Sequence, residues 1–169
     1  AYEGFPHSHA SIMDHVAKMP KVSKLVQVGI RDVSPGEIER IQKSEGRIAT
    51  YFDWDLQFRK LRGESWNLIC EEIVGKLGKD VYISFDIDGL DPKLCPSTGT
   101  PVPGGLEFME AVFLVQKVVS SGRRLVGADL VEVAPNPNGD PWDGNVGARM
   151  LYQLTIAVAA SRRNSAHAP

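Results

Sequence analysis

Residues 82–92, YISFDIDGLDP, set Asp86 and Asp88 one residue apart with Asp91 close behind. In an extended chain Val81, Ile83, Phe85 and Ile87 fall on one face, and Tyr82, Ser84, Asp86 and Asp88 on the other. The run reads as a mostly buried strand of a parallel sheet, stopped by Gly89 and the Asp91-Pro92 pair. Both carboxylates then face the same way from the carboxyl end of a strand, where open α/β sheets carry their ligand sites. Like charges at that spacing repel, and each loses solvent. A divalent cation would relieve both problems. The plainer alternative is that the pair caps the next loop through backbone N–H groups, as Asp commonly does.

A second acid, Glu132, stands near the end of the later run GADLVEV, and Thr98 and Thr100 sit in the Gly-rich loop 95–105. Carboxylate oxygens favour Mg or Mn over zinc held by sulfur, and an acidic lining suits a cationic substrate. For Glu132 alone, a structural salt bridge is an equal reading. His7 and His9 follow YEGFP in a turn-like segment that can present one of them to a site, or leave both solvated. His15 belongs to a short helix, SIMDHVAKM, and His167 to a solvated tail.

These residues need elements to position them. KLVQVGI (24–30) and IATYF (48–52) read as strands. Between them Ser34, Pro35 and Glu37 mark a helix start with a capping box, and Gly46 its stop. SWNLICEEIVGKLG (65–78) puts Trp66, Ile69, Ile73 and Leu77 on one helical stripe. LEFMEAVFLVQKVVSSG (106–122) is a helix ended by Gly122. RLVGADLVEV (124–133) is a strand, NPNGDPWDGN a loop, and VGARMLYQLTIAVAASRR a final helix before a frayed tail, NSAHAP. Alternating strands and helices predict βα units, hence an α/β fold with a parallel sheet and helices on both faces.

The 169 residues suit one domain with a real core. A formal charge of −2 and no basic stripe argue against nucleic-acid binding. No apolar run approaches membrane-spanning length. Cys70 and Cys95 lack any metal-site spacing and read as buried small apolar residues, which makes the cytoplasm the default compartment. The opening AYEGFPHSHAS has neither an initiator Met nor a signal-peptide pattern, and reads as the interior of a longer chain.

FDIDGL is also similar to the D-x-D-G opening of haloacid-dehalogenase phosphatases. That family usually begins its domain with the motif and places a second acidic pair on a later strand. Here the motif lies mid-chain, and GADLVEV offers one acid on each face. A combination of motifs is more specific. SFDIDGLDP, then STGTPVPGGL, then GADLVEVAP resembles, in that order, the ureohydrolase superfamily of arginase, agmatinase, guanidinobutyrase and formiminoglutamase. YEGFPHSHAS is similar to the segment that follows that family's first Asp/His metal motif, so the resemblance runs over residues 1–160.

The resemblance implies a three-layer α/β/α fold with a mainly parallel sheet, the 169 residues forming the carboxyl-terminal part of one domain. It implies a hydrolase that releases urea from a guanidino compound, by attack of hydroxide generated on two Mn²⁺ ions. Asp86 and Asp88 would be metal ligands. Thr100 would contact the guanidinium or its adduct, and Glu132 would grip the guanidinium through paired charge-assisted bonds. His9 would carry protons near the leaving amine, with His7 the alternative because the chain reads SHAS where relatives often have HG. The implied partners are a small cationic substrate and further copies of the protein in a homo-oligomer.

Two departures qualify this. The GGDH histidine motif and the DAHxD cluster, which supply the family's other ligands, are absent from the sequence. An upstream segment of the same gene is expected to carry them; an inactive remnant is the other reading. The arginase-type HGQP motif is also missing, which favours agmatine or a guanidino acid over arginine. A formimino substrate or guanidine remains open, as does a non-catalytic subunit of the same fold.

Overall fold

The computed structural model of the chain describes residues 4–166. A 3₁₀ turn, His9–Ser11, leads into α1 (Ile12–Lys18). There follow β1 (Leu25–Ile30), α2 (Pro35–Lys43), β2 (Ile48–Phe52), α3 (Asp53–Leu61), α4 (Trp66–Gly75), β3 (Asp80–Asp86), a second 3₁₀ turn (Ile87–Gly89), α5 (Phe108–Ser120), β4 (Arg124–Val131) and α6 (Trp142–Ala166). β1 pairs parallel with β2 and β3 parallel with β4, with α2 and α5 as the respective crossovers. The expected parallel α/β architecture is therefore present. Among the described residues it is built as two strand pairs that share no hydrogen-bonded ladder.

Local signals fix most of these elements. At the start of α2 the Ser34 side chain accepts from the Glu37 amide while Glu37 reaches back to the Ser34 N–H, and Pro35 follows the cap. Ser65 caps α4 by accepting from the Leu68 amide. On α4, Ile69 and Ile73 are buried, and the Trp66 indole donates to the Glu110 carbonyl at 3.0 Å. Leu77 lies beyond the helix end. Gly122 adopts φ 80° just after α5, the left-handed stop that glycine takes without strain.

Four expectations change. Residues 53–61 form α3, which no sequence signal marked: it follows β2 without a connecting loop, and its N-cap, Phe52, makes no side-chain cap bond. β3 is half-buried rather than mostly buried, because the main core packs only on its Val81 face, while Tyr82, Ser84 and Asp86 are exposed. Asp88 is off the strand, since the chain turns at Ile87. Finally, α6 starts at Trp142, whose N–H donates to Asp140 Oδ1 at 2.9 Å. It runs through Ala166, past the point where fraying was expected; His167 lies outside the described residues.

The main core lies between the β3–β4 pair and α5 and α6, with Ile87, Leu90, Val112, Leu125, Met150 and Leu154 at its centre. A smaller cluster of Leu56, Ile69 and Ile73 packs against Val26, Val28 and Tyr51 of the first strand pair. Cys70 and Cys95 are free and buried. Burial pushes their thiols up to about 12 and about 11, which leaves them unreactive. None of the described helices is long and apolar enough to cross a membrane.

Candidate functional site

Asp86 is the last residue of β3, and its register partner across the ladder is Val131 at the end of β4. Glu132 follows directly, one residue past the end of β4. The ladder thus delivers one acid from each of two adjacent strands to the same sheet end, where parallel α/β proteins bind ligands. Asp86 Oδ1 accepts the Asp88 N–H at 3.0 Å and so caps the 3₁₀ turn Ile87–Gly89. Capping engages only Oδ1, and the two sequence readings of the D-x-D pair are compatible. Asp88 Oδ2 accepts the Thr100 hydroxyl at 3.0 Å, which brings Thr100 to the acidic pair.

Glu132 has φ 63°, in the left-handed region. For a residue with a long side chain this costs about 1–3 kcal/mol and is characteristic of functional positions. Its carbonyl accepts the hydroxyl of the buried Thr98 at 3.0 Å. Its Oε2 lies 3.7 Å from the position a Cβ on Gly99 would take, so the carboxylate folds over the 98–100 loop. That loop is anchored in turn by Asp143, 1% exposed at the start of α6. Asp143 accepts the Ser97 N–H at 2.8 Å and the Ser97 hydroxyl at 3.2 Å.

The structure therefore brings Asp86, Asp88, Thr100 and Glu132 together on an open shelf. His9 belongs to a separate segment, exposed at the head of the first 3₁₀ turn. His7 stacks on His15 with ring centroids 5.0 Å apart, and His15 Nε2 lies 2.7 Å from the Pro6 carbonyl.

Three supporting residues escaped the sequence reading: Asp143, Asp53 and Arg31. Asp53, 4% exposed at the start of α3, accepts the Gly105 N–H at 2.9 Å and the Gln57 side-chain amide at 3.0 Å. Gly104 and Gly105 have φ 95° and 98°. A Cβ at Gly104 would stand 2.6 Å from Asp53 Oδ2, and one at Gly105 2.6 Å from the Leu90 backbone. The adjacent glycines were the available sign that another group approaches this backbone closely.

The electrostatics of the shelf favour a cation. Asp86 is exposed by surface area, yet the protein around its carboxyl still removes part of its hydration. That desolvation, reinforced by the charges of Asp88 and Glu132, pushes Asp86 up to about 6. The sign follows directly. The folded chain holds this proton more tightly than the unfolded chain, so the group's contribution to stability is full below the usual carboxylate pKa and is lost as pH rises toward 6. In metal-free protein, wild type should lose thermal stability relative to Asp86→Asn as pH rises from about 4 to about 6. An unchanged difference between the two proteins across that range would mean that Asp86 does not carry the effect.

The carboxylate oxygens match a hard divalent ion such as Mg²⁺ or Mn²⁺. The donor set is partial: no group of three or more His, Cys, Asp or Glu that could hold a metal ion occurs among the described residues.

Fold and site together define a parallel α/β protein with an acidic, cation-favouring shelf at the carboxyl ends of two adjacent strands. Comparison with known proteins supplies the family: the model described as the Arginase family matches residues 1–157. The chain is 34% identical over 147 residues to hepatic arginase of Aquarana catesbeiana, covering 85% of this chain and 43% of that protein. Against human arginase-1 it is 32% identical over 145 residues, covering 86% and 44%. Among solved structures it resembles proclavaminate amidino hydrolase from Streptomyces clavuligerus, with TM-score 0.75, 26% identity, and 95% and 52% of the two chains covered. The agmatine ureohydrolase of Thermoplasma volcanium gives TM-score 0.72, 27% identity, and 99% and 53% covered. The chain belongs to the arginase family. It spans less than half the length of these curated relatives and aligns with their carboxyl-terminal half.

Proposed function

We propose that this chain carries the substrate-gripping and part of the metal-binding apparatus of a manganese-dependent amidinohydrolase acting on a small guanidino compound. The observation that supports this most is the convergence of Asp86, Asp88, Thr100 and Glu132 at the ends of β3 and β4. Relatives named as an arginase, an agmatine ureohydrolase and an amidino hydrolase agree with that chemical class.

Asp86 and Asp88 would hold the manganese. When bound, the metal supplies a Lewis acid and lowers the pKa of water to near neutrality. The chain's own residues do the rest. Glu132 accepts two guanidinium N–H bonds through its carboxylate and fixes the cation over the shelf. Thr100, already bonded to Asp88, presents its hydroxyl toward the same space. His9 is proposed to donate a proton to the leaving amine as the tetrahedral adduct collapses. Two carboxylates under-ligate a pair of divalent ions, and the chain spans less than half of its curated relatives. The remaining ligands are therefore proposed to come from a segment outside these 169 residues. A small substrate, further copies of the protein and a cytoplasmic setting complete the proposal.

The test uses the full reading frame that contains these residues, loaded with Mn²⁺ and offered agmatine, 4-guanidinobutyrate, arginine and guanidine. Urea release is expected, with arginine the poorest of the set, because the arginase-type HGQP motif is missing near His9. Arginine turning over fastest would overturn the specificity while leaving the chemistry. No urea from any of them, and no formamide from a formimino substrate, would favour a non-catalytic subunit.

A further inference from the structure

Arg31, immediately after β1, directs its guanidinium at four backbone carbonyls. Nη2 donates to the carbonyl of Asp88. Nη1 donates to Gly29 at 3.1 Å and to Gly89 at 3.5 Å. Nε donates to Val102 at 3.1 Å. These acceptors belong to three segments: the end of β1, the 3₁₀ turn that carries Asp88, and the loop that carries Thr100. The two strand pairs share no ladder among the described residues, so this side chain crosses from one pair to the active shelf of the other. A planar fork with five donors can satisfy carbonyls arranged around it in this way, whereas an ammonium on a flexible stem cannot reach them all at once.

The acceptors matter more than their number. A donor fixed on the Asp88 carbonyl restrains the peptide plane that follows Asp88, and with it the direction of the Asp88 carboxylate. Thr100 bonds the other end of the same residue at Oδ2, and Arg31 holds the Thr100 loop two residues on, at Val102. Asp53 secures the far side of that loop through Gly105, and Gly104 sits between the two clamps. A Cβ there would meet Asp53 Oδ2 at 2.6 Å and the Arg31 side chain at 3.4 Å.

We infer that Arg31 is a positioning residue that pre-sets Asp88 and the Thr100 loop for metal binding, acting through backbone carbonyls without touching the substrate. This rests on the manganese reading of the site for its functional consequence, but the positioning itself does not need it.

Two readouts separate the two. In the full reading frame, Arg31→Met and the milder Arg31→Lys are compared with wild type by backbone amide hydrogen exchange of the metal-free protein and by Mn²⁺ titration calorimetry. The inference expects faster exchange in residues 86–91 and 98–105 in Arg31→Met, with exchange in α5 and α6 unchanged. It also expects Mn²⁺ affinity weaker by roughly 10–100-fold, the usual cost of losing an outer partner of a metal ligand. Arg31→Lys should fall between, and in both variants kcat should drop more than KM rises. Faster loop exchange in a protein whose wild type binds no Mn²⁺ would sink the metal reading and leave the positioning role standing. Exchange in both loops matching wild type in Arg31→Met would overturn the inference whatever the metal does. Should Arg31→Met fail to fold, unchanged loop exchange in Arg31→Lys would do the same.

Discussion

Replacing Glu132 with Gln is expected to lower kcat/KM for a guanidino substrate by on the order of 3 kcal/mol, about 100-fold or more. The substitution keeps the shape and removes the charge. A guanidinium that has exchanged water for a carboxylate at this shelf would then face a neutral amide, with one of its N–H bonds turned toward an NH₂ group. Stability should hardly change, because Glu132 is exposed and its left-handed backbone is held by the Thr98 hydroxyl at the carbonyl rather than by its own carboxylate. Steady-state kinetics on each guanidino compound, with thermal unfolding beside them, separates these effects. A variant with wild-type kcat/KM on every compound would make Glu132 a structural residue.

Asp88→Asn should remove metal and activity together. The amide is a weaker donor to a hard cation, and its NH₂ group would compete with the Thr100 hydroxyl for the same space. Losing an outer partner of a metal ligand typically costs about 10–100-fold in affinity; changing the ligand itself should exceed that. Mn²⁺ stoichiometry measured by atomic absorption on dialysed full-length protein reads this directly. Thr100→Val is the graded comparison, since it deletes one hydrogen bond to Asp88 and leaves the charge. Full metal content with normal turnover in Asp88→Asn would remove Asp88 from the ligand set. The residues around Asp88 would then be explained by loop capping alone.

How much of this was legible beforehand differs by residue. Ser34, Pro35 and Glu37 announced α2 because a capping box is a contact among near neighbours. The alternation around Asp86 announced β3 for a similar local reason. α3 stayed hidden: its boundary with β2 has no cap or breaker, and what holds it is the burial of Leu56 against β1 and α4, contacts distant in sequence.

The candidate site divides along the same line. Sequence by itself singled out the candidate set, Asp86, Asp88, Thr100 and Glu132, through a same-face acidic pair and three motifs that resemble those of a known family. It also determined the parallel α/β class, through the order of strand and helix signals. Only the tertiary structure decided that β3 lies beside β4 with Asp86 opposite Val131, that Glu132 turns left-handed over Gly99, and that Arg31, Asp53 and Asp143 hold the loops. Those three are charged residues without a local motif, and each holds its loop through backbone groups that lie between 46 and 71 positions away. Backbone carbonyls and amides are the same in every residue, so such partnerships leave no trace in side-chain identity until the chain has folded.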